Sequence, residues 1–160
     1  MLRFFIFLLF LTPSVAFPFL NEPDGFRSIP WDSPVNKITG LRSAGPAEGT
    51  VRRYIKMDET FIYEGLALTD IFYVTDLGKL VSVELFYNCG QRAGFIELLQ
   101  KNHGTPTRTA RGGTLTWQGK SSTITLAPPA AVRPDNPAPD GEPALCALTF
   151  GATPLTKKSR

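Results

Sequence analysis

One histidine, His103, and two cysteines, Cys89 and Cys146, are all that 160 residues offer. That scarcity excludes most metal centres, because a structural zinc takes four closely spaced Cys or His ligands. The carboxylates show no clustered ligand pattern either, so no metal site is expected. A Cys–His catalytic pair must come within about 3 Å, whereas Cys89 and His103 bracket one predicted helix, roughly 20 Å apart at 1.5 Å per residue. His103 reads as a helix-end residue, where a cationic imidazole suits the helix dipole. The chain also lacks a CxxC pair, which disfavours a thioredoxin-like redox role. Arg111-Gly112-Gly113 precedes a strand and opens no helix, so it lacks the amides that cradle phosphate. Asp58-Glu59 and the acidic residues from Asp135 to Asp140 fall at turns and read as solvated loop charges. No catalytic residue and no cofactor is expected.

Charge of one sign is equally scarce. The formal net charge is +3, or +2 without Arg3, and basic and acidic residues are mixed along most of the chain. Nucleic acid is therefore not an expected partner. The one basic cluster, Lys157-Lys158-Ser159-Arg160, reads as a solvated tail over 154–160.

Only one long apolar run exists, Phe4 to Leu11. It falls well short of the roughly 20 residues that a membrane span needs. Arg3 precedes it, and Thr12-Pro13 and Ser14-Val15-Ala16 follow it, the pattern of a secretory signal peptide over 1–16 cleaved after Ala16. Residue 17 is Phe, where a bacterial lipoprotein needs Cys. No later segment is long and apolar enough to span a membrane. The expected location is therefore the periplasm or the secreted space, and the absence of an Asn-x-Ser/Thr sequon leans towards a bacterial route.

Residues 17–30 are rich in Pro, Gly and polar side chains and are expected to run extended, ahead of a single α+β domain over 31–153. A first helix is predicted from Ser33 and Pro34, with Val35, Ile38 and Leu41 at helical spacing and Gly45-Pro46 as its stop. Alternating stretches follow at Val51–Met57, Phe61–Gly65 and Leu68–Val74. The turn Thr75-Asp76-Leu77-Gly78 then leads into Lys79–Tyr87, an antiparallel hairpin whose second arm puts Val81, Val83, Leu85 and Tyr87 on one face and Ser82 and Glu84 on the other. Asn88, with Gln91 three residues on, caps a second helix that carries Phe95, Leu98, Leu99 and Asn102 on one face and stops at Gly104 and Pro106. Thr114–Trp117 and Ser122–Leu126 make a second hairpin. Residues 128–143 hold six prolines and read as an extended loop, since Pro lacks the donor a central strand needs. Ala144–Phe150 reads as a final buried strand. The expected fold is α+β, an antiparallel sheet with two helices on one face in the order helix, strands, helix, strands.

Cys89 sits where a helix N-terminus would favour a thiolate. It also has Cys146 as an even partner in a chain bound for an oxidising compartment. A Cys89–Cys146 disulfide is the expectation, with a free, low-pKa Cys89 thiol as its rival. Among the aromatics, neighbours such as Phe72-Tyr73 must point to opposite faces. Trp31, Tyr63, Phe72, Tyr73 and Trp117 are the candidate residues of an exposed binding strip.

Phe26-Arg27-Ser28-Ile29-Pro30-Trp31-Asp32, Gly78-Lys79-Leu80, His103-Gly104-Thr105-Pro106 and Leu115-Thr116-Trp117 follow one another along the chain. In these the chain resembles a group of uncharacterised exported, periplasmic bacterial proteins with a Phe-x-x-Ile-x-Trp-Gly opening, a Gly-Lys-Leu hairpin turn and a Tyr-Gly-x-Pro helix end. Asp32 stands where that group has Gly, and His103 where it has Tyr. The element order is also similar to small periplasmic α+β modules of the outer-membrane assembly and β-lactamase-inhibitor type, which act by binding proteins. The expected function is thus an exported, non-enzymatic binding or envelope-associated module, whose partner is a periplasmic or envelope protein or peptide. An enzyme or thiol protein using Cys89 is the alternative.

Overall fold

The computed structural model describes residues 19–128 and 144–153. The expected signal peptide, nearly all of the Pro-rich loop and the basic tail lie outside them. The described residues form twelve strands: β1 (Gly25–Phe26), β2 (Ile29–Pro30), β3 (Leu41–Ser43), β4 (Val51–Lys56), β5 (Ile62–Tyr63), β6 (Leu66–Ala67), β7 (Asp70–Asp76), β8 (Lys79–Asn88), β9 (Arg108–Thr109), β10 (Leu115–Gln118), β11 (Ser122–Leu126) and β12 (Leu145–Ala152). Eight form one antiparallel sheet in the order β3-β4-β7-β8-β12-β11-β10-β9, and β1–β2 and β5–β6 are small separate hairpins.

The single α-helix among the described residues, α1 (Arg92–His103), follows a 3-10 turn at Cys89–Gln91. Among the described residues the protein is therefore mostly β with one α-helix, and the expected two-helix α+β fold is corrected. The predicted first helix is a 3-10 turn at Val35–Lys37 followed by edge strand β3. Pro34 and Ile38 on either side of that turn are extended, and Gly40 sits at φ 79°. Three apolar residues at spacing three did not outweigh a β-branched pair and a left-handed glycine.

The central hairpin forms as its alternation predicts. Leu77 and Gly78 both have positive φ, the conformation of a two-residue turn that matches strand twist. A register shift lies between Val74 and Thr75, which pair with Ser82 and Leu80. Val81 is the extra residue of that bulge, and Leu80 takes its expected place in the core. Leu80, Val83, Leu85 and Tyr87 on β8 face inwards with Ile71 and Tyr73 on β7, Cys146, Leu148 and Phe150 on β12, Ile124 and Leu126 on β11, and Trp117 on β10. Helix α1 covers this face with Phe95, Leu99 and His103, one per turn. The Phe95 ring lies 4.0 Å from that of Tyr87.

Residues before Trp31 also belong to the core layer. Arg27 and Ser28 turn at positive φ between β1 and β2, which folds the segment expected to be extended into a hairpin and buries Phe26 to 4% exposure. Phe26 packs against Tyr63, Tyr73 and Phe150. No helix among the described residues is long and apolar enough to cross a membrane.

Candidate functional site

The two cysteines meet. Cys89 is bonded to Cys146, with Cα atoms 5.0 Å apart, and no cysteine among the described residues is free. Asn88 places Cys89: its side chain accepts the Gly90 N–H at 2.8 Å and caps the 3-10 turn. Gln91 does not complete a capping box. Its amide donates to the Ala67 carbonyl at 3.3 Å instead, tying the turn to β6. The free-thiol reading of Cys89 is thereby corrected.

The five candidate aromatics do not form one strip. Tyr73 and Trp117 are fully buried, and the Trp117 indole donates to the Gly104 carbonyl at 2.7 Å, which ties β10 to the end of α1. Trp31 packs on the core and donates to the Pro23 carbonyl at 3.0 Å. Tyr63 lies on the same layer, 5.4 Å from Phe150. Phe72 alone is on the other face, edge-to-face with Phe86 at 5.7 Å. Covering one face of the sheet drew every aromatic on that parity inwards, a choice that alternation alone leaves open.

That other face carries neither α1 nor the N-terminal segment. Residues opposite one another across strands share a face, so the register defines its rows. One row runs Phe72, Glu84, Thr149, Thr125 and Thr116 across β7, β8, β12, β11 and β10; a second runs Val74, Ser82, Gly151, Thr123 and Gln118. Arg53 on β4 extends the face and donates to Glu84 at 3.2 Å, which neutralises the Glu84 carboxylate. Glu84 beside it holds the guanidinium charged more firmly than usual. Gln118, Thr123 and Thr153 hydrogen-bond among themselves at one end. The hydroxyls of Thr116, Thr125 and Thr149 have no side-chain hydrogen bond to the described protein.

Sequence reasoning missed a charged cluster inside the covered layer. Glu59, expected to be a solvated loop charge, has a side chain only 7% exposed. Its carboxylate accepts from Arg27, from the Tyr73 hydroxyl and from the Thr60 N–H. Arg27 also donates to the Thr60 carbonyl at 2.8 Å and to the Ile62 carbonyl, while its guanidinium lies 5.3 Å above the Phe26 ring. Burial first, then the hydrogen bond to Glu59, pushes the Tyr73 phenol well above its usual value. These bonds link the β1–β2 turn, the β5 loop and the sheet, so the cluster works as a clasp that holds both segments in place. A carboxylate at a turn carries no signal for this, because its partners lie 14 and 32 residues away.

His103 is 7% exposed, and its Nδ1–H donates to the Leu20 and Asn21 carbonyls at 3.2 and 3.1 Å. It fastens the N-terminal segment to the end of α1. Among the described residues no group of three or more His, Cys, Asp or Glu could hold a metal ion.

The geometry thus defines a disulfide-stapled antiparallel sheet, layered on one side and open among the described residues on the other. Comparison with protein-family models, curated proteins and solved structures finds no match to this chain.

Proposed function

We infer that the protein is an exported, non-enzymatic binding module that receives a protein partner of the periplasm or envelope on the open face of its sheet. The carrying observation is that face itself: an exposed-side Phe72–Phe86 pair, a neutralised Arg53–Glu84 pair and a row of threonine hydroxyls lie on one continuous surface. Five strands at about 4.8 Å, with about seven residues each, make a patch of roughly 550 Å² in projection. A standard protein interface uses about 800 Å² of accessible surface per partner, and a pleated patch exceeds its projection. The size suits a folded partner and is far more than a small molecule covers. The signal-peptide pattern and the short motifs shared with uncharacterised exported proteins support the compartment.

The test is a photo-crosslinking residue placed at Thr149 in the exporting cell. The expected result is one discrete adduct that Phe86→Asp abolishes and that the same probe at Leu77, on the far hairpin tip, does not give. No adduct from Thr149, or the same adduct from Leu77, would overturn the reading.

A further inference from the structure

We propose that the groove between the β1–β2 turn, the Val35–Lys37 turn and the end of β4 is a binding site for a small carboxylate with a short apolar body. The site is separate from the open sheet face. It is a cavity of about 250 Å³, below the range of roughly 300 Å³ and more that drug-sized ligands occupy. Its occupant is therefore small, on the order of ten heavy atoms.

The wall chemistry sets the class. Ile29 and Ile38 offer apolar surface, and Lys37 and Lys56, from separate elements, line the same cavity. The ion pairs among the described residues are Arg27–Glu59, Arg53–Glu48 and Arg53–Glu84, so neither lysine has a carboxylate within 4.0 Å. Asp58 is the acidic neighbour on this side. It approaches Gly40 beside the Lys56 stem and is not part of the lining. The hydroxyls of Ser28 and Thr39, also in the lining, make no hydrogen bond within the described protein, whereas Ser33 spends its own on the Pro30 carbonyl at 2.7 Å. Two unpaired cations and two free hydroxyls beside branched aliphatics match an anionic head on an apolar tail.

The backbone holds this arrangement open by turns. Arg27 and Ser28 have φ of 48° and 67°, and Gly40 has 79°. They reverse the chain on both sides of the cavity.

Calorimetric titration of the purified, disulfide-bonded protein with hexanoate, hexanol and inorganic phosphate tests the assignment. Hexanoate should saturate a single site, at least tenfold more tightly than either hexanol or phosphate. The variant Lys37→Gln/Lys56→Gln should weaken it at least tenfold while leaving the circular dichroism spectrum unchanged. Amide shifts on hexanoate addition should centre on residues 28–39 and 56. Absence of saturable binding, equal binding of hexanol or of phosphate, indifference to the double substitution, or shifts centred elsewhere would each overturn it.

Discussion

The Tyr73 hydroxyl donates to the Glu59 carboxylate and so joins the middle of the sheet to the loop that leads into β5. Tyr73 is fully buried and the Glu59 side chain nearly so, which makes this a charge-assisted bond in a weakly screened place. Tyr73→Phe removes the donor and leaves the carboxylate with Arg27 and the Thr60 N–H. The expected cost is about 1–3 kcal/mol, read as a lower urea midpoint with an unchanged slope. A double cycle with Arg27→Met should be strongly non-additive, because both groups serve one carboxylate.

Tyr87 makes the opposite case. Its hydroxyl is buried with no hydrogen-bond partner, and burial, opposed by the Arg92 charge, pushes the phenol to about 12. Tyr87→Phe keeps the ring on Phe95 and discards the unsatisfied oxygen. Stability should stay level or rise by up to about 1 kcal/mol, checked by the same denaturation. A loss as large as that of Tyr73→Phe would show that the hydroxyl has a partner in solution.

The same burial predicts an alkaline limit. Tyr63 is raised to about 12 by burial and then by Glu64, Tyr87 to about 12, and Tyr73 is raised as well. An unfolded phenol ionises near 10, so each tyrosine's contribution is full below about pH 10 and is lost as pH climbs through the folded value. Unfolding free energy should fall by up to about 1.4 kcal/mol per pH unit per tyrosine between about pH 10 and 12. Urea midpoints across that range, with phenolate absorbance followed in parallel, check it.

Elements with a local signature were legible. Alternation around Leu77-Gly78 specified β7 and β8, Gly104 ended α1, and the apolar run at Ala144–Phe150 made most of β12. The failures are positions where a local backbone break or a distant partner overrides spacing. Val35, Ile38 and Leu41 carry helical spacing, but Gly40 and the extended Pro34 and Ile38 turn that stretch into an edge strand. Phe26 reaches the core only because Arg27 and Ser28, neither of them glycine, turn at positive φ, held in part by the bonds of Arg27 to the β5 loop. Of the five aromatic candidates, the sequence could state that neighbours diverge. It could not state which face α1 would cover, and so could not tell Tyr73 from Phe72.

The disulfide closes a loop with a sequence separation of 57 that contains α1 and β9 to β11. In the chain-entropy account such a loop is worth about 4 kcal/mol. Its two ends are already neighbours on the sheet: Cys146 pairs across from Tyr87, and the Cys89 N–H donates to the Ala144 carbonyl at 2.9 Å. Cys89→Ser/Cys146→Ser should therefore keep the fold while losing about 3–4 kcal/mol. Mass measurement should find no alkylation of the parent protein until it is reduced.

Gly119 shows how closely the N-terminal segment is fitted to the sheet. Glu22 accepts the backbone N–H groups of Ser121 and Ser122 at 2.5 and 2.7 Å and the Ser121 hydroxyl at 3.0 Å. Burial pushes its carboxyl up, but the Ser121, Ser122 and Lys120 backbone bonds outweigh that and hold it below the usual carboxylate value. A Cβ on Gly119 would overlap the Glu22 carboxylate and the Phe19 ring. Gly119→Ala must displace both, at an expected cost of about 1–3 kcal/mol. The sign of the acid response gives a second readout. A carboxylate depressed in the folded state contributes stability that is present above its unfolded value and lost as pH falls through the folded one. That acid limb should be shallower in Gly119→Ala and in Glu22→Gln alike, and the two changes combined should cost little more than the first alone, because the glycine acts through the carboxylate it leaves room for.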